Sequence, residues 1–348
     1  MKSNVLVTGG AGFIGSHVVD EIIKRGHNVV VLDDLSGGFR DNLAAESKFI
    51  QGSVCDTNLI DALFHKYRFE YVFHLAAYAA EGLSHFIKRF NYTNNLIGSV
   101  NLINASVNTG TVKCFIFTSS IAVYGRGQPP MTEDMNPAPE DPYGIAKYAV
   151  EMDLREAHEM FGLDYIIFRP HNVYGERQNI GDPYRNVIGI FMNQILKMQP
   201  MTIFGDGLQS RAFSHISDVA PIIAESIHRK SAYNQVFNVG ADKHYTVLHL
   251  ANAVAKAMGT DPTIVFREAR HEVVDAYCSH TKIRQHFGHL EKGVLLEDGI
   301  GSMAAWARQS GARKGKPFQD IEVTLNLPPS WRLQVASQGN DDNQASSA

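Results

Sequence analysis

Cysteine is scarce in this sequence, and none of it stands in a pattern typical of metal sites or disulfide frameworks. The 348 residues include three cysteines, Cys55, Cys114 and Cys278, which lie far apart and form no C-x-x-C pair. An odd number of distant cysteines argues against a disulfide-stapled fold and a structural zinc site, and it suits a reducing cytosol. The histidines have no metal-ligand spacing and no H-E-x-x-H segment occurs, so we predict no metal.

Long hydrophobic runs and a strong charge of either sign are also missing. No stretch reaches the ~18 apolar residues that a membrane helix requires. The first strand pattern, "NVLVTG", begins at Asn4 without a signal-peptide segment of usual length before it. We therefore expect a soluble cytoplasmic protein. The formal net charge of −4 gives no reason to expect binding to nucleic acid or to an acidic membrane.

The first half of the chain alternates short apolar runs with amphipathic stretches. Near-continuous Val, Ile, Leu and Phe in the runs indicate strands covered on both faces, as in a parallel sheet. A helical pattern at 16–26 ends in a glycine that suits a helix C-terminus. The order of strands and helices predicts an α/β fold with a doubly wound parallel sheet. The predicted strands are "NVLVTG" (4–9), "NVVVLD" (28–33), "YVFHLAA" (71–77), "CFIFTSS" (114–120) and "DYIIFRP" (164–170).

The alternation weakens after about residue 170, which indicates a second, smaller unit. We assign residues 1–172, with a returning segment at about 212–243, to the first domain. Residues 173–211 and 244–330 would form the smaller lobe. The last residues, 334–348, are small and polar, so we expect a disordered tail.

Three glycines, Gly9, Gly12 and Gly15, stand between the first strand and the first helix. A tight turn of this kind directs the free N–H groups of a helix N-terminus at a phosphate. Asp33 follows 18 residues after Gly15, at the end of the second strand, where a carboxylate can bind both hydroxyls of an adenosine ribose. Because that carboxylate would repel a 2′-phosphate, the pattern favours NAD over NADP.

The segment "PYGIAK" places Tyr143 four residues before Lys147. Residues at this spacing lie ~5–6 Å apart on one helix face. A neighbouring ammonium favours the phenolate, so Tyr143 could act as a base. On its own the pair is far more typical of an amphipathic surface helix. The hydroxyls of Thr118, Ser119 and Ser120 end a predicted buried strand, where ligands bind in such sheets.

Together these segments resemble the extended short-chain dehydrogenases/reductases. The resemblance rests on "TGGAGFIG", "HLAA", "SSIAVYG", "PYGIAK" and "RPHNVYG", and it is closest to the NAD-dependent nucleotide-sugar epimerases and dehydratases of the UDP-glucose 4-epimerase type. It implies a Rossmann fold with a smaller nucleotide-sugar-binding lobe and a homodimer formed through helices at about 95–110 and 143–160. It also implies that Ser120, Tyr143 and Lys147 are catalytic.

The resemblance further implies two sets of binding residues. NAD would contact Gly9, Gly12, Phe13, Ile14, Gly15, Asp33, Asp34, Ser36, Gly37, Ser53, Val54, Leu75, Ala76, Ala77, Asn95, Thr118, Tyr143, Lys147 and Pro170. The nucleotide sugar, expected to be a UDP-hexose, would contact Ser120, Tyr143, Asn172, Asn186, Val187, Thr202, Phe204, Arg211 and Arg270.

The residues after Ser120 bear on the type of reaction. Sugar 4,6-dehydratases and nucleotide-sugar decarboxylases of this family carry acidic residues there, whereas this chain has Ile121 and Ala122. Without a carboxylate to remove a carbon-bound proton, the resemblance implies hydride chemistry at one hydroxyl, as in 4-epimerisation. The alternatives are epimerisation of UDP-glucuronate, a UDP-N-acetylhexosamine or another nucleotide sugar, a net reductase, and a non-catalytic NAD-binding protein.

At four positions, the sequence does not decide which contacts are made with the substrate or the cofactor. Ser53 stands where the family often has an aspartate near the adenine, and Ala79 stands where some 4-epimerases have a lysine. Glu81 could face the sugar or cap a helix. His171 could touch the nicotinamide amide or pack in the interior.

Overall fold

The computed structural model describes residues 2–184, 186–269, 275–314, 318–328 and 331. The strands are β1 (Asn4–Thr8), β2 (Asn28–Asp33), β3 (Lys48–Gln51), β4 (Tyr71–His74), β5 (Cys114–Thr118), β6 (Tyr165–Pro170), β7 (Val173–Tyr174), β8 (Met201–Phe204), β9 (Ser210–Ala212), β10 (Ser214–His215), β11 (Gln235–Val239), β12 (His244–Thr246), β13 (Ile264–Arg267) and β14 (Asp275–Ala276). The helices are α1 (Phe13–Lys24), α2 (Thr57–Tyr67), α3 (Glu81–Ser84), α4 (Lys88–Tyr92), α5 (Gly98–Thr109), α6 (Pro142–Phe161), α7 (Val187–Leu196), α8 (Ile216–Glu225), α9 (Val247–Met258), α10 (Thr281–Phe287) and α11 (Leu296–Ser310).

Seven of the strands form one parallel sheet in the order β11-β6-β5-β4-β1-β2-β3. Apolar side chains from α1, α8 and α10 pack on one face of it. Side chains from α2, α5 and α6 pack on the other face. The predicted α/β fold with a doubly wound parallel sheet is confirmed, and the continuous apolar runs are explained by this coverage on both sides.

Several element boundaries differ from the sequence prediction by one to three residues. The predicted strands at 71–77 and 114–120 end at His74 and Thr118. Their last residues leave the sheet and line a cavity instead. The first helix begins at Phe13 rather than 16, because the glycine turn closes in fewer residues than expected.

Helix α6 has strong start and stop signals. The Asp141 carboxylate accepts a hydrogen bond from the Gly144 N–H at 3.0 Å, and Pro142 occupies the first turn. Gly162 ends the helix in the left-handed region, with φ of 72°. These caps fix where the helix begins, and with it the position of Tyr143.

A second apolar core joins α7, α9 and α11 with β8, outside the large sheet. The predicted division into a sheet domain and a smaller lobe remains a prediction. Two segments of the predicted lobe pack elsewhere, since Phe287 of α10 joins the core beside β11. Leu327 and Trp331 pack against Leu83 and Ile87 of the 78–90 region. The predicted tail, 334–348, lies outside the described residues.

In the part of the chain that the structure describes, none of the helices combines the length and apolar character needed to cross a bilayer.

Candidate active site

A cavity of about 2150 Å³ opens where the strands of the large sheet end. Its wall includes residues at or directly after the carboxyl ends of five parallel strands, Gly9, Asp33, Leu75, Thr118 and Pro170. Ligands of doubly wound folds bind at this edge, because the crevice between diverging connections lies there. Residues of α7, β8 and β9 close the opposite side.

The glycine turn packs directly against the backbone of the chain that follows β4. Gly9 has φ of 71°, and a Cβ there would lie 2.7 Å from the Ala76 nitrogen. A Cβ at Gly15 would collide with the Gly9 carbonyl oxygen. Gly12 is the N-terminal cap of α1 and offers no side chain to its free N–H groups. The first turn of α1 therefore presents bare backbone N–H groups to the cavity, as a phosphate site requires.

Asp33 ends β2 with its carboxylate held by the backbone. The Ala11 N–H donates to Asp33 Oδ2 at 3.0 Å, and the Leu35 N–H donates to Oδ1 at 2.8 Å. Burial raises the pKa of this carboxyl above its usual range, while the two N–H groups act in the opposite direction. The carboxylate lies on the cavity wall, where it can accept from ribose hydroxyls.

The residues present fit a dinucleotide. The glycine turn forms a cradle that a Cβ would fill, and Asp33 stands at the end of the neighbouring strand. Thr118 Oγ1 is buried at the end of β5 with no hydrogen-bond partner, although Thr118 lines the cavity. A buried hydroxyl without a partner is costly, and a ligand with polar groups would satisfy it.

Tyr143, Lys147 and Ser120 come together at one wall of this cavity. The Lys147 ammonium lies 5.8 Å from the centre of the Tyr143 ring and donates to the Thr118 carbonyl at 2.8 Å. Burial lowers the pKa of Lys147 to about 7, and the Glu151 carboxylate raises it in part. Ser120 begins a short 3₁₀ turn, its Oγ accepting from the Ala122 N–H at 3.1 Å.

Most residues expected to bind the cofactor line the cavity. Two do not, and their side chains make other contacts. Ser53 Oγ accepts a hydrogen bond from the Cys55 N–H at 3.1 Å. The Asn95 amide is buried and bonds to the Tyr78 backbone, with its oxygen accepting at 2.8 Å and its nitrogen donating at 3.1 Å. Asn95 thus fixes the Tyr78 segment of the wall from behind. The predicted residues that do line the cavity are Gly9, Gly12, Phe13, Ile14, Gly15, Asp33, Asp34, Ser36, Gly37, Val54, Leu75, Ala76, Ala77, Thr118, Tyr143, Lys147 and Pro170.

The residues expected to bind the nucleotide sugar lie across from the glycine turn. The cavity is lined by Asn172, Asn186, Val187, Thr202, Phe204 and Arg211. Asn172 and Asn186 both adopt positive φ, 39° and 66°. The Asn172 amide donates to the Ala212 carbonyl at 3.0 Å, which ties the end of β6 to β9. Arg270 lies outside the described residues.

His171 and Glu81, whose roles the sequence did not decide, differ in their surroundings. His171 is buried, hydrogen-bonded to the Ala212 carbonyl at 3.2 Å and to His280 at 3.0 Å. These contacts make His171 a packed interior residue at the cavity floor. Glu81 is exposed in the first turn of α3 and lines the cavity.

Sequence reasoning missed Glu151 and Arg169, a buried ion pair beneath the site. The signals were present: Glu151 follows Lys147 by one helical turn, and Arg169 is a charged residue in a strand that is otherwise apolar. Among the described residues, no three side chains of His, Cys, Asp or Glu gather in a way that could hold a metal ion.

Comparison with known proteins places these features in a family. The model of the NAD-dependent epimerase/dehydratase family matches residues 5–240. A putative UDP-glucose 4-epimerase of Methanocaldococcus jannaschii is 31% identical over 309 residues, which cover 88% of this chain and 99% of the relative.

Two solved structures show the same fold. UDP-glucose 4-epimerase of Thermotoga maritima with UDP-glucose matches with a TM-score of 0.83 and 37% identity, covering 88% of this chain and 99% of the other. UDP-glucuronic acid 4-epimerase of Bacillus cereus, in complex with UDP-glucuronic acid and NAD, matches with a TM-score of 0.80 and 28% identity, covering 88% and 99%. The expected resemblance and the expected cofactor, NAD, are both confirmed. This chain belongs to the NAD-dependent epimerase/dehydratase family, as an NAD-dependent nucleotide-sugar epimerase of the extended short-chain dehydrogenase/reductase type.

Proposed function

We propose that the protein interconverts UDP-glucose and UDP-galactose by epimerisation at carbon 4. The observation that carries this proposal is the meeting of the Tyr143 phenol, the Lys147 ammonium and the Ser120 hydroxyl at one wall of the cavity. The 3₁₀ turn after Ser120 begins with Ile121 and Ala122 and supplies no carboxylate. The site thus offers groups for moving a hydroxyl proton, and none at this turn for removing a proton from carbon.

Held at this site, NAD would supply a reversible hydride acceptor for carbon 4 of the sugar, as inversion at that carbon requires. Tyr143 would remove the proton of the 4-hydroxyl and later give it back. The positive charge of Lys147 would favour the phenolate of Tyr143. Ser120 would hold the reacting oxygen by a hydrogen bond. The wall from Gly9 to Gly15 and the Asp33 carboxylate would hold NAD.

Return of hydride to either face requires a sugar that can turn while its nucleotide stays bound. Arg211 is suited to the diphosphate, because its planar fork matches phosphate oxygens. Asn172 and Asn186 would contact the same group, and Thr202 and Phe204 would face the uridine. We therefore expect tight contacts with the nucleotide and loose contacts with the sugar.

One observation favours a neutral sugar over a uronate. The carboxylates of Glu81, Glu140 and Asp141 line the same cavity as Tyr143. Arg126 also lines it but lies 3.0 Å from Glu140, so its charge is matched there. A uronate would add a further carboxylate to this cavity, and like charges repel. Epimerisation of UDP-glucuronate or of a UDP-N-acetylhexosamine is the second candidate.

The test is a panel of UDP-glucose, UDP-galactose, UDP-glucuronate and UDP-N-acetylglucosamine, with products identified by NMR and no added cofactor. We expect interconversion of the two hexoses without net consumption of NAD. Tyr143→Phe should reduce kcat by at least about a hundredfold, the lower range of general acid–base catalysis, and retain NAD. Tyr148→Phe, on the same helix but not on the cavity wall, is the matched control. Preference for another sugar, or near-normal turnover by Tyr143→Phe, would contradict the proposal.

We also propose that the protein is a homodimer formed through α5 and α6. Ile145 and Met152 on α6 are 42% and 45% exposed, and Ile97, one residue before α5, is 50% exposed. Exposed apolar residues grouped on neighbouring helices favour an interface between copies of the chain.

A further inference from the structure

Beneath the candidate site lies a fully buried ion pair between α6 and β6. The side chains of Glu151 and Arg169 are 0% and 1% exposed. Arg169 Nε donates to Glu151 Oε1 at 2.9 Å and Nη2 donates to Oε2 at 2.5 Å, so the guanidinium binds the carboxylate with two parallel bonds. This is the geometry in which an arginine binds a carboxylate most strongly.

The pair is completed by neutral hydroxyl and amide groups. Ser119 Oγ donates to Glu151 Oε1 at 2.6 Å. Arg169 Nη1 donates to the Tyr124 hydroxyl at 2.8 Å, and that hydroxyl donates to Asn238 Oδ1 at 2.8 Å. The network is hydrogen-bonded throughout, as a buried charged group requires. A buried ion pair is weak evidence for stability by itself, since apolar residues of similar size often serve as well.

Its contacts point instead to the catalytic side chains. Glu151 follows Lys147 by four residues and Tyr143 by eight on α6, so all three lie on one side of that helix. Ser119 directly precedes Ser120 at the end of β5, and its hydrogen bond joins that strand end to α6. The carboxylate of Glu151 therefore connects the two segments that carry Ser120, Tyr143 and Lys147.

Glu151 also acts on the charge of Lys147. The ammonium lies in a buried place, 4.7 Å from the centre of the Phe117 ring, and burial lowers its pKa to about 7. Glu151 is the group that raises the pKa of Lys147. Burial, with a smaller contribution from the Lys147 charge, lowers the pKa of the His74 imidazole to about 3, so His74 is neutral near pH 7.

Other titratable groups surround the carboxylate. Burial raises the pKa of Tyr165 on β6, Arg155 lowers it and the Glu151 carboxylate raises it further, so Tyr165 is neutral near pH 7. Burial raises the pKa of Tyr124 to about 12, although Arg169 lowers it. Arg169 is thus the counter-charge of Glu151. Its guanidinium donates to both carboxylate oxygens and shares Oε1 with the Ser119 hydroxyl.

We propose that Glu151, held by Arg169, is a positioning residue for the proposed reaction: its carboxylate orients the Ser119–Ser120 strand end and keeps Lys147 in the ammonium form that Tyr143 needs. The inference rests on the proposed roles of Ser120, Tyr143 and Lys147. It does not depend on which sugar is the substrate.

The first test uses kinetics to separate the effect of the Glu151 charge from that of its hydrogen bond with Ser119. Glu151→Gln should lower kcat about tenfold at pH 8 and leave the KM for the UDP-sugar and the amount of retained NAD unchanged. In the pH profile of kcat, the decrease on the alkaline side should move about 1 pH unit lower; this decrease is called the alkaline limb. Ser119→Ala removes the hydroxyl contact and should lower kcat without moving that limb. Glu151→Asp keeps the charge and should restore the limb. Glu159→Gln, an exposed carboxylate on the same helix, should behave as the wild type. A limb unchanged in Glu151→Gln would overturn the proposal.

The second test does not require turnover. The ionisation of Tyr143 is followed by phenolate absorbance and identified by its loss in Tyr143→Phe. In Glu151→Gln its midpoint should rise by about 1 pH unit, because Lys147 loses its proton earlier. If Glu151→Gln does not fold, the double variant Glu151→Gln/Arg169→Gln leaves no unpaired buried cation and should show the same rise. An unchanged midpoint in the folded variant would overturn the proposal. A wild type inactive on every UDP-sugar would contradict the proposed function alone.

Discussion

At the scale of single residues, the site depends on how burial changes the ionisation of a few side chains. The backbone N–H groups of Ala11 and Leu35 bind the Asp33 carboxylate, yet burial still raises its pKa. Burial lowers the pKa of Lys147, because it disfavours the ammonium cation as it disfavours the Asp33 carboxylate. Both groups are therefore sensitive to what binds next to them.

The raised pKa of Asp33 predicts a pH dependence of NAD binding. The ionised carboxylate is the form that accepts from ribose hydroxyls, so affinity should be full well above the folded-state pKa and fall as the pH decreases through it. Asp33→Asn should weaken NAD binding at pH 7 and remove this dependence. The measurement is a titration with NAD between pH 4.5 and 8. Equal affinity of wild type and variant at pH 7 would contradict the assignment.

The same raised pKa has the opposite consequence for the cofactor-free chain. A carboxyl whose pKa is higher in the folded than in the unfolded state favours folding below the unfolded value, and this contribution is lost as the pH rises through the folded value. Without NAD, the Tm of the wild type should therefore fall as the pH rises through the folded-state pKa of Asp33, and Asp33→Asn should lack this contribution. Thermal unfolding with and without NAD checks both signs.

At the scale of elements, helix α11 illustrates how neighbouring glycines differ in what they permit. A Cβ at Gly299 would collide with the Tyr174 hydroxyl and lie 2.9 Å from a ring carbon of His215. A Cβ at Gly301, two residues later in the same helix, would meet nothing within 4 Å. Gly299 is thus required for close packing of α11 against β7 and β10, whereas Gly301 only weakens the helix.

The two positions provide a matched pair of substitutions. Gly299→Ala should lower the free energy of unfolding by about 1–3 kcal/mol, as overpacking does. Gly301→Ala should raise it by about 0.5–1 kcal/mol, the helix preference of alanine over glycine. Denaturant unfolding followed by circular dichroism measures both. A stabilised Gly299→Ala would mean that α11 can move away from Tyr174 at little cost.

At the scale of the whole molecule, the proposed dimer surface is the outer face of α5 and α6. Helix α6 also carries Tyr143 and Lys147, so an interface there would stabilise the helix that positions them. The same helix thus contacts the sheet, the cavity and, in the proposal, a second copy of the chain.

A charged substitution tests that surface. Met152→Glu places a carboxylate in the proposed interface and should convert the dimer to monomers, because burying an unpaired charge is costly. Met198→Glu is the control, since Met198 is 96% exposed and lies outside α5 and α6. Native mass spectrometry of both variants gives the oligomeric state and the retained NAD together. A monomeric wild type, or a dimeric Met152→Glu, would contradict the proposal.

The sequence by itself determined the order of strands and helices, the parallel sheet and the family. It could do so because these depend on local patterns: apolar runs, glycines between a strand and a helix, and the spacing of Tyr143 and Lys147. The tertiary structure decided which distant side chains meet. Asn95 bonds to the Tyr78 backbone, and Arg169 joins Glu151 under the site. Those pairings depend on packing between elements far apart in the chain, and no local pattern carries that information.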